Sequence, residues 1–354
     1  MAKPIGIALI GTGYIGQGAH LPAYQKMQDE GLARIVALCD INEDALRAAS
    51  EKFGVPNTFT DYGKMLEMDE IVAVDVCTPN YLHKQPVMDS FAAGKHVICE
   101  KPLAINAQEG AEMVAAGRAA GRQLGVALNV RFGAGAQAVK RFVDDGRLGE
   151  VYYARAHALR RRGIPGWGLF TQKDKQGGGP LIDIGVHILD LTLWLMGHPQ
   201  PVSVTGQTYA KFGPREGVLG LMGQWDPKTF TVEDFAAGFI RFANGATLSL
   251  ESSFAANIAE NSFHTTLLGT EGGALLYPSD DAKTRLFREE SGALTDTTPV
   301  FLPRVGAHEA ELRAFVQALI DDTPVPVPGE QGLLVTRILD ALYESAETGR
   351  EVLI

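Results

Sequence analysis

A short apolar run, Ile5 to Ile10, feeds directly into Gly11-Thr12-Gly13-Tyr14-Ile15-Gly16, and no other feature limits the possible folds as much. A run of that length bounded by a turn reads as a buried strand of a parallel sheet. A helical pattern continues to about Lys26, and a second apolar run, Ile35 to Cys39, ends at Asp40. Strand, glycine turn, helix, strand and terminal acid is the context that a dinucleotide site requires. Gly11 is expected to allow the tight turn, Gly13 to let the backbone approach a pyrophosphate, and Gly16 to let helix pack on strand. The first N–H groups of the helix then face the phosphates, and Thr12, Tyr14 and Ile15 complete the binding loop. Asp40 is expected to accept hydrogen bonds from both ribose hydroxyls of NAD and to repel the 2′-phosphate of NADP. Ile41 and Asn42 offer no replacement cation; Arg47 is the nearest one.

The alternation persists. Ile71 to Val76 reads as a third strand opening onto Cys77-Thr78-Pro79-Asn80, with Asn80 expected to cap a helix that runs to Ala93 and Gly94 to follow it. Val97 to Cys99 opens onto Glu100-Lys101-Pro102, a helix covers about Ala107 to Ala120, and Leu124 to Leu128 is a fifth strand. Such alternation implies a doubly wound parallel sheet, an α/β Rossmann domain over residues 1–128. Ligands gather at the carboxyl ends of its strands. The Gly11 loop, Asp40, Thr78, Pro79, Asn80, Glu100, Lys101 and Asn129 all occur there.

From Gly149 the pattern changes to strands. Val151–Leu159, Val202–Phe212 and Phe235–Phe242 alternate, Asn244-Gly245 signals a type I′ hairpin, and Gly272-Gly273 marks another turn. Helical patterns at about Glu309–Ile320 and Gly332–Thr348 flank an extended Pro324–Pro328 connector. Residues 129–354 therefore read as an α+β domain with a mostly antiparallel, open-faced sheet. A net charge of −10 argues against nucleic acid or an anionic membrane surface as partner. No stretch reads as long enough to span a bilayer, and no signal-peptide pattern opens the chain. Three cysteines, Cys39, Cys77 and Cys99, lack zinc-ligand spacing, so no metal site is expected and reduced thiols in the cytoplasm are.

The run from Leu181 to Met196 is nearly all apolar, as in a buried helix, yet Asp183, His187 and Asp190 recur on one face. Gly179 suits the N-cap and Pro180 the first helical position. Buried polar groups need partners, so the stripe reads as a cleft where a carboxylate orients a proton-accepting histidine. Ahead of it, Trp167 stands in a glycine-flanked loop that offers an aromatic face to a ligand. Arg160-Arg161-Arg162 either grip an anion or contact a neighbouring domain or subunit. Asn129 is either a polar contact to a ligand or a local cap. His83 reads as structural or as a nicotinamide neighbour, and His20 as a neighbour of the phosphate loop or a surface residue.

Taken together, these motifs resemble the Gfo/Idh/MocA family of glucose–fructose oxidoreductases and inositol dehydrogenases, over nearly the whole length. The resemblance rests on the Gly11–Gly16 loop, Thr78-Pro79-Asn80 with His83, Glu100-Lys101-Pro102, the segment from Asn129 to Val151, and Gly177–Trp194. It implies hydride transfer between a secondary alcohol of a sugar or cyclitol and NAD. Lys101 would polarise the hydroxyl, His187 would act as general base and Asp183 would orient it, with Asn129 and Trp167 as further substrate contacts. It also implies a homodimer or homotetramer. Two alternatives remain open: cleavage or epimerisation of a glycoside through a transient 3-keto intermediate, and a redox-inert NAD or sugar sensor.

Overall fold

In the computed structural model, which describes residues 4–300, 302 and 306–354, the first part of the chain alternates strand and helix. β1 (Ile5–Ile10), β2 (Ala33–Cys39), β3 (Thr58–Phe59), β4 (Ala73–Val76), β5 (His96–Glu100) and β6 (Leu124–Ala127) are joined through α1 (Leu21–Asp29), α2 (Glu43–Phe53), α3 (Tyr62–Leu66), α4 (Lys84–Ala92) and α5 (Ala107–Ala120). The sheet order is β3-β2-β1-β4-β5-β6, all parallel. The strand order reverses between β1 and β4, the place where such sheets bind ligands. Local chemistry sets the helix ends. Asn42 accepts from the Asp44 and Ala45 N–H groups ahead of α2, and Gly54 ends it at φ 66°. Asn106 accepts from Glu109 N–H ahead of α5, and Gly121 ends it at φ 61°.

Two expectations for this part are corrected. Asn80 opens a 3-10 turn, Asn80–Leu82, rather than capping a helix, and α4 starts only at Lys84. The short pair β3 and α3 has no counterpart in the sequence reading, because a two-residue strand carries no periodicity.

The rest of the chain contributes α6 (Ala134–Asp144), β7 (Val151–Leu159), α7 (Lys173–Gln176), α8 (Val186–Leu195), β8 (Pro201–Tyr209), β9 (Phe235–Phe242), β10 (Thr247–Ser253), β11 (Ser262–Gly269), β12 (Gly272–Leu276), β13 (Arg285–Glu290) and β14 (Ala293–Thr297). α9 (Ala307–Ile320), α10 (Gly329–Thr348) and β15 (Val352–Leu353) follow. The second sheet runs β14-β13-β12-β11-β7-β10-β9-β8-β15 and is antiparallel except for β7 against β10. On β7, Ala154, Ala156 and Ala158 are fully buried on one face, while Tyr153, Arg155 and His157 point to the other. α8 lies on the alanine face, where Thr192 donates to Thr265 Oγ1 of β11 at 2.8 Å.

Packing divides the chain into two compact units, Met1–Asn129 with Gly306–Leu333, and Val130–Val305 with Leu334–Ile354. The sequence reading has one cut, after residue 128; packing adds a return of the chain to the first unit. Leu312, Phe315 and Val316 of α9 join the core of Ile7, Leu9, Leu38 and Ile98. Val126 N–H then donates to Val327 O at 3.0 Å, so the proline-rich connector lies along β6.

Three further details differ from the sequence reading. Gly245 has φ 87° but Asn244 does not share a positive φ, and Gly245 N–H donates to Phe242 O. The loop is thus a type I turn followed by a left-handed glycine, not type I′. Gly272 and Gly273 lie inside β12 rather than in the turn before it. Finally, residues Lys173–Leu195 do form a stretch long and apolar enough to cross a membrane, but 83% of its apolar window is buried in the protein. Burial against the second sheet explains that apolarity.

Candidate functional site

The glycine loop of the first unit leaves little freedom at two positions and open space at a third. Gly11 has φ 100°, and a Cβ there would lie 2.6 Å from Cys77 O. A Cβ on Gly16 would lie 2.5 Å from Gly11 O, whereas one on Gly13 would meet nothing within 4 Å. Gly13 is thus the point where another molecule can approach the backbone. Thr12 is buried. Its N–H and hydroxyl both donate to Asp40 Oδ2, at 2.7 and 3.1 Å, while Asn42 N–H donates to Asp40 Oδ1 at 2.8 Å. Gly11, Thr12, Gly13 and Asp40 therefore come together. Ile15 is half-buried, and Tyr14 is 95% exposed. This set fits NAD: room for phosphates at the loop, and a carboxylate at the end of β2 whose Oδ1 keeps a lone pair for ribose.

The ends of β4 and β5 are tied to each other. His83 is buried, its Nδ1 lying 2.9 Å from Pro102 O and its Nε2 2.9 Å from Thr78 O. Burial pushes its pKa down, against the opposite pull of these carbonyls. His83 is thus a brace between Thr78-Pro79-Asn80 and Glu100-Lys101-Pro102. Glu100 accepts the Lys101 N–H on Oε2 at 3.0 Å, and its Oε1 lies 3.0 Å from His20 Nε2. Asn129 places its Nδ2 3.1 Å from His308 Nε2 of α9. For His20 the sequence leaves two places open, beside the phosphate loop or at the surface. It is in fact fully buried, with Nδ1 2.7 Å from Asp75 Oδ2. The cue was present: His20 ends the first turns of the helix that follows the glycine loop, on the side facing the strands.

In the second unit the Gly177-Gly178-Gly179 run has a steric cause. Gly177 has φ 86°; a Cβ on Gly178 would lie 1.9 Å from the Tyr343 hydroxyl, and one on Gly179 2.3 Å from Glu233 O. The Glu233 carboxylate accepts from Gly179 N–H at 3.0 Å, Leu181 N–H at 3.1 Å and the Tyr343 hydroxyl at 2.8 Å. A carboxylate at this end suits the helix dipole, and burial raises its pKa. Gly179 O accepts from Ile182 and Asp183 N–H, so helical bonding starts where the sequence places it. Leu181–Gly185, however, is a π turn leading into α8. The helix after the glycine loop also opens with a π turn, Gly16–His20. Such turns recur at functional sites.

Asp183 and His187 are both half-buried. Asp190, the third member of the stripe, reads from the sequence as a contact either to substrate or to His187; it is 1% exposed and makes a two-point ion pair with buried Arg131, which makes it a strut. Burial raises its pKa, and Arg131 opposes that shift. Arg160 Nη1 lies 3.9 Å from Asp183 Oδ2. Arg161 and Arg162 instead donate to Ala259 O and Ala256 O and shape that loop. Trp167 is 55% exposed, edge-on to Phe170.

Comparison with known proteins places the chain in a family of oxidoreductases. Residues 5–128 match the model of the Gfo/Idh/MocA oxidoreductase family, NAD-binding Rossmann fold, and residues 140–354 match its C-terminal alpha/beta domain. The chain is 36% identical over 352 residues to D-glucoside 3-dehydrogenase of Escherichia coli, covering 99% of this chain and 98% of the relative. It is 28% identical to levoglucosan dehydrogenase of Pseudarthrobacter phenanthrenivorans over 97% of this chain and 96% of that protein. A levoglucosan dehydrogenase solved with NADH and L-sorbose superposes with a TM-score of 0.88 at 25% identity, covering 100% of this chain and 99% of that one.

Proposed function

Because this chain belongs to the Gfo/Idh/MocA oxidoreductase family and carries its NAD-binding Rossmann domain at residues 5–128, we propose that it oxidises a secondary hydroxyl of a glucoside or related sugar. The observation that carries this reading is the 36% identity, over 99% of the chain, to a D-glucoside 3-dehydrogenase. NAD, when bound, supplies the hydride acceptor. His187 takes the hydroxyl proton as general base. The Lys101 ammonium steadies the alkoxide that develops as the carbinol C–H bond breaks and the C=O bond forms. Asp183 orients His187. The loop Gly11–Ile15, Asp40, Thr78, Pro79, Asn80 and Glu100 hold the cofactor, and Asn129 and Trp167 contact the sugar. The half-buried Asp183 and His187 on an otherwise apolar helix and the pinned Lys101 backbone support these roles.

A panel of methyl glucosides, levoglucosan, aldoses and inositols, followed by NADH absorbance, tests this. One NADH per ketone formed from a glucoside is expected. A protein that binds NAD but reduces it with no member of the panel overturns the reading. Turnover of a glycoside without net NADH would point instead to the transient 3-keto mechanism. We further propose a homodimer or homotetramer, which a light-scattering mass of one chain in solution would refute.

A further inference from the structure

Beneath the glycine loop lies a buried polar chain that the reaction above does not use directly. It runs from the end of β4 to the end of β5 through one imidazole. His20 Nδ1 lies 2.7 Å from Asp75 Oδ2, and its Nε2 lies 3.0 Å from Glu100 Oε1. The Cys77 thiol donates to Asp75 Oδ1 at 3.3 Å, and its sulfur lies 3.3 Å from His20 Nδ1. His20 and Asp75 are fully buried, and Glu100 is nearly so. Glu100 spends its other oxygen on the Lys101 peptide N–H, at 3.0 Å.

A carboxylate only accepts hydrogen bonds, so a ring that faces a carboxylate on each nitrogen must donate from both. Only the imidazolium does so. A neutral ring would leave one carboxylate facing a lone pair inside the protein, which is costly.

We propose that His20 is the positioning residue of the Glu-Lys-Pro turn: as a permanent imidazolium it ties Asp75 to Glu100 and so fixes the carboxylate that holds the Lys101 backbone. Without that tie Glu100 loses one of its hydrogen-bond partners, and the backbone that presents Lys101 is held less firmly. The direction of the titration agrees. Burial is the largest single effect and opposes the charge, but Asp75 and Cys77 together outweigh it and hold His20 well above the usual histidine range. The other ionisable groups around the ring are Tyr24 of α1, whose phenol is raised by burial, Cys77, whose thiol burial keeps protonated, and His308 and Glu311 of α9. The His20, Asp75 and Cys77 donor atoms lie within 4.8 Å of one another and are joined by the hydrogen bonds given above. Because the pKa is raised on folding, the stability that His20 contributes is complete below about pH 6.5 and is lost only as pH rises through the raised value.

Two measurements test this without requiring turnover. In the full chain with ¹⁵N-labelled histidine, His20 (assigned by the missing signals of His20→Gln) is expected to show two nitrogen-bound protons and no titration through the ordinary histidine range, about one unit either side of pH 6.5. A single protonated nitrogen, or a titration inside that range, overturns the proposal. The Lys101 amide proton shift is expected to move in His20→Gln, and an unmoved shift also overturns it.

The kinetic arm rests on the reaction proposed above. With a glucoside that turns over, His20→Gln is expected to lose about 10- to 100-fold in kcat while NADH affinity changes little. Should His20→Gln fail to fold, Asp75→Asn serves. It removes one carboxylate, so His20 is expected to titrate within the measured range and kcat to fall as pH rises through that value. A pH profile in Asp75→Asn identical to wild type counts against His20. If no sugar is oxidised, the functional reading fails and the two resonance measurements still decide this one.

Discussion

Single side chains carry most of the proposed chemistry, and each can be removed separately. His187→Ala is expected to lower kcat by about 10²- to 10⁴-fold, the range for a positioned general base. NADH affinity measured by fluorescence should be unchanged, and undiminished turnover would remove His187 from the mechanism. Lys101→Ala is expected to depress kcat more than NAD affinity, and the reverse split would make Lys101 a cofactor contact alone. Asp40→Ala is expected to narrow the preference for NAD over NADP in paired kcat/KM measurements, because the carboxylate that would repel a 2′-phosphate is gone. Asp40 was legible because an acid after the second strand has one ordinary use in such a unit. Asp183 and His187 were legible because polar groups at helical spacing contradict their apolar surroundings. Asp190 obeyed the same spacing yet proved to be the partner of Arg131. Spacing places a residue on a face without saying which member of that face meets solvent.

At the level of elements, steric contacts explain why glycine recurs where the two candidate helices begin. Gly11 and Gly16 are pressed against backbone oxygens, and Gly178 is pressed against the Tyr343 hydroxyl, whose proton goes to Glu233. Gly178→Ala is expected to cost about 1–3 kcal/mol or more, as overpacking does. Tyr343→Phe in the same chain should recover part of that loss, because it deletes the nearest atom. Urea denaturation of both singles and the double checks this, and strictly additive effects would mean that the two residues do not meet. The glycines themselves were visible in the sequence. Their opposite numbers, Tyr343 and Glu233, were not, for they lie far along the chain and bear no motif. The π turns were equally hidden, since a one-residue change in hydrogen-bond register leaves no mark on apolar periodicity.

For the molecule as a whole, pH offers a test of how the buried rings are distributed. On the open face of the second sheet His264 stacks on Tyr277 and meets His157 edge-on, and burial pushes the His264 pKa down to about 4. A ring whose pKa falls on folding binds its proton more readily in the unfolded chain. Its contribution to stability is therefore lost as pH drops from about 6.5 to about 4. His264→Gln is expected to flatten the decline of the urea midpoint over that window, and an unchanged slope would place the ring in water. The sequence alone determined the alternation of the longer strands and helices in the first unit, the nucleotide loop, the acid at the end of the second strand and the apolar helix with its polar stripe. Each of these follows from rules that act within about one turn or one strand of the residue concerned. Tertiary structure alone decided that α9 returns to cover the first sheet, that Asp190 is spent on Arg131, and that His20 joins Asp75 and Glu100. Those partners stand 55 and 80 residues from His20 along the chain. Pairing at that distance depends on where whole strands are laid side by side, and no local pattern records it.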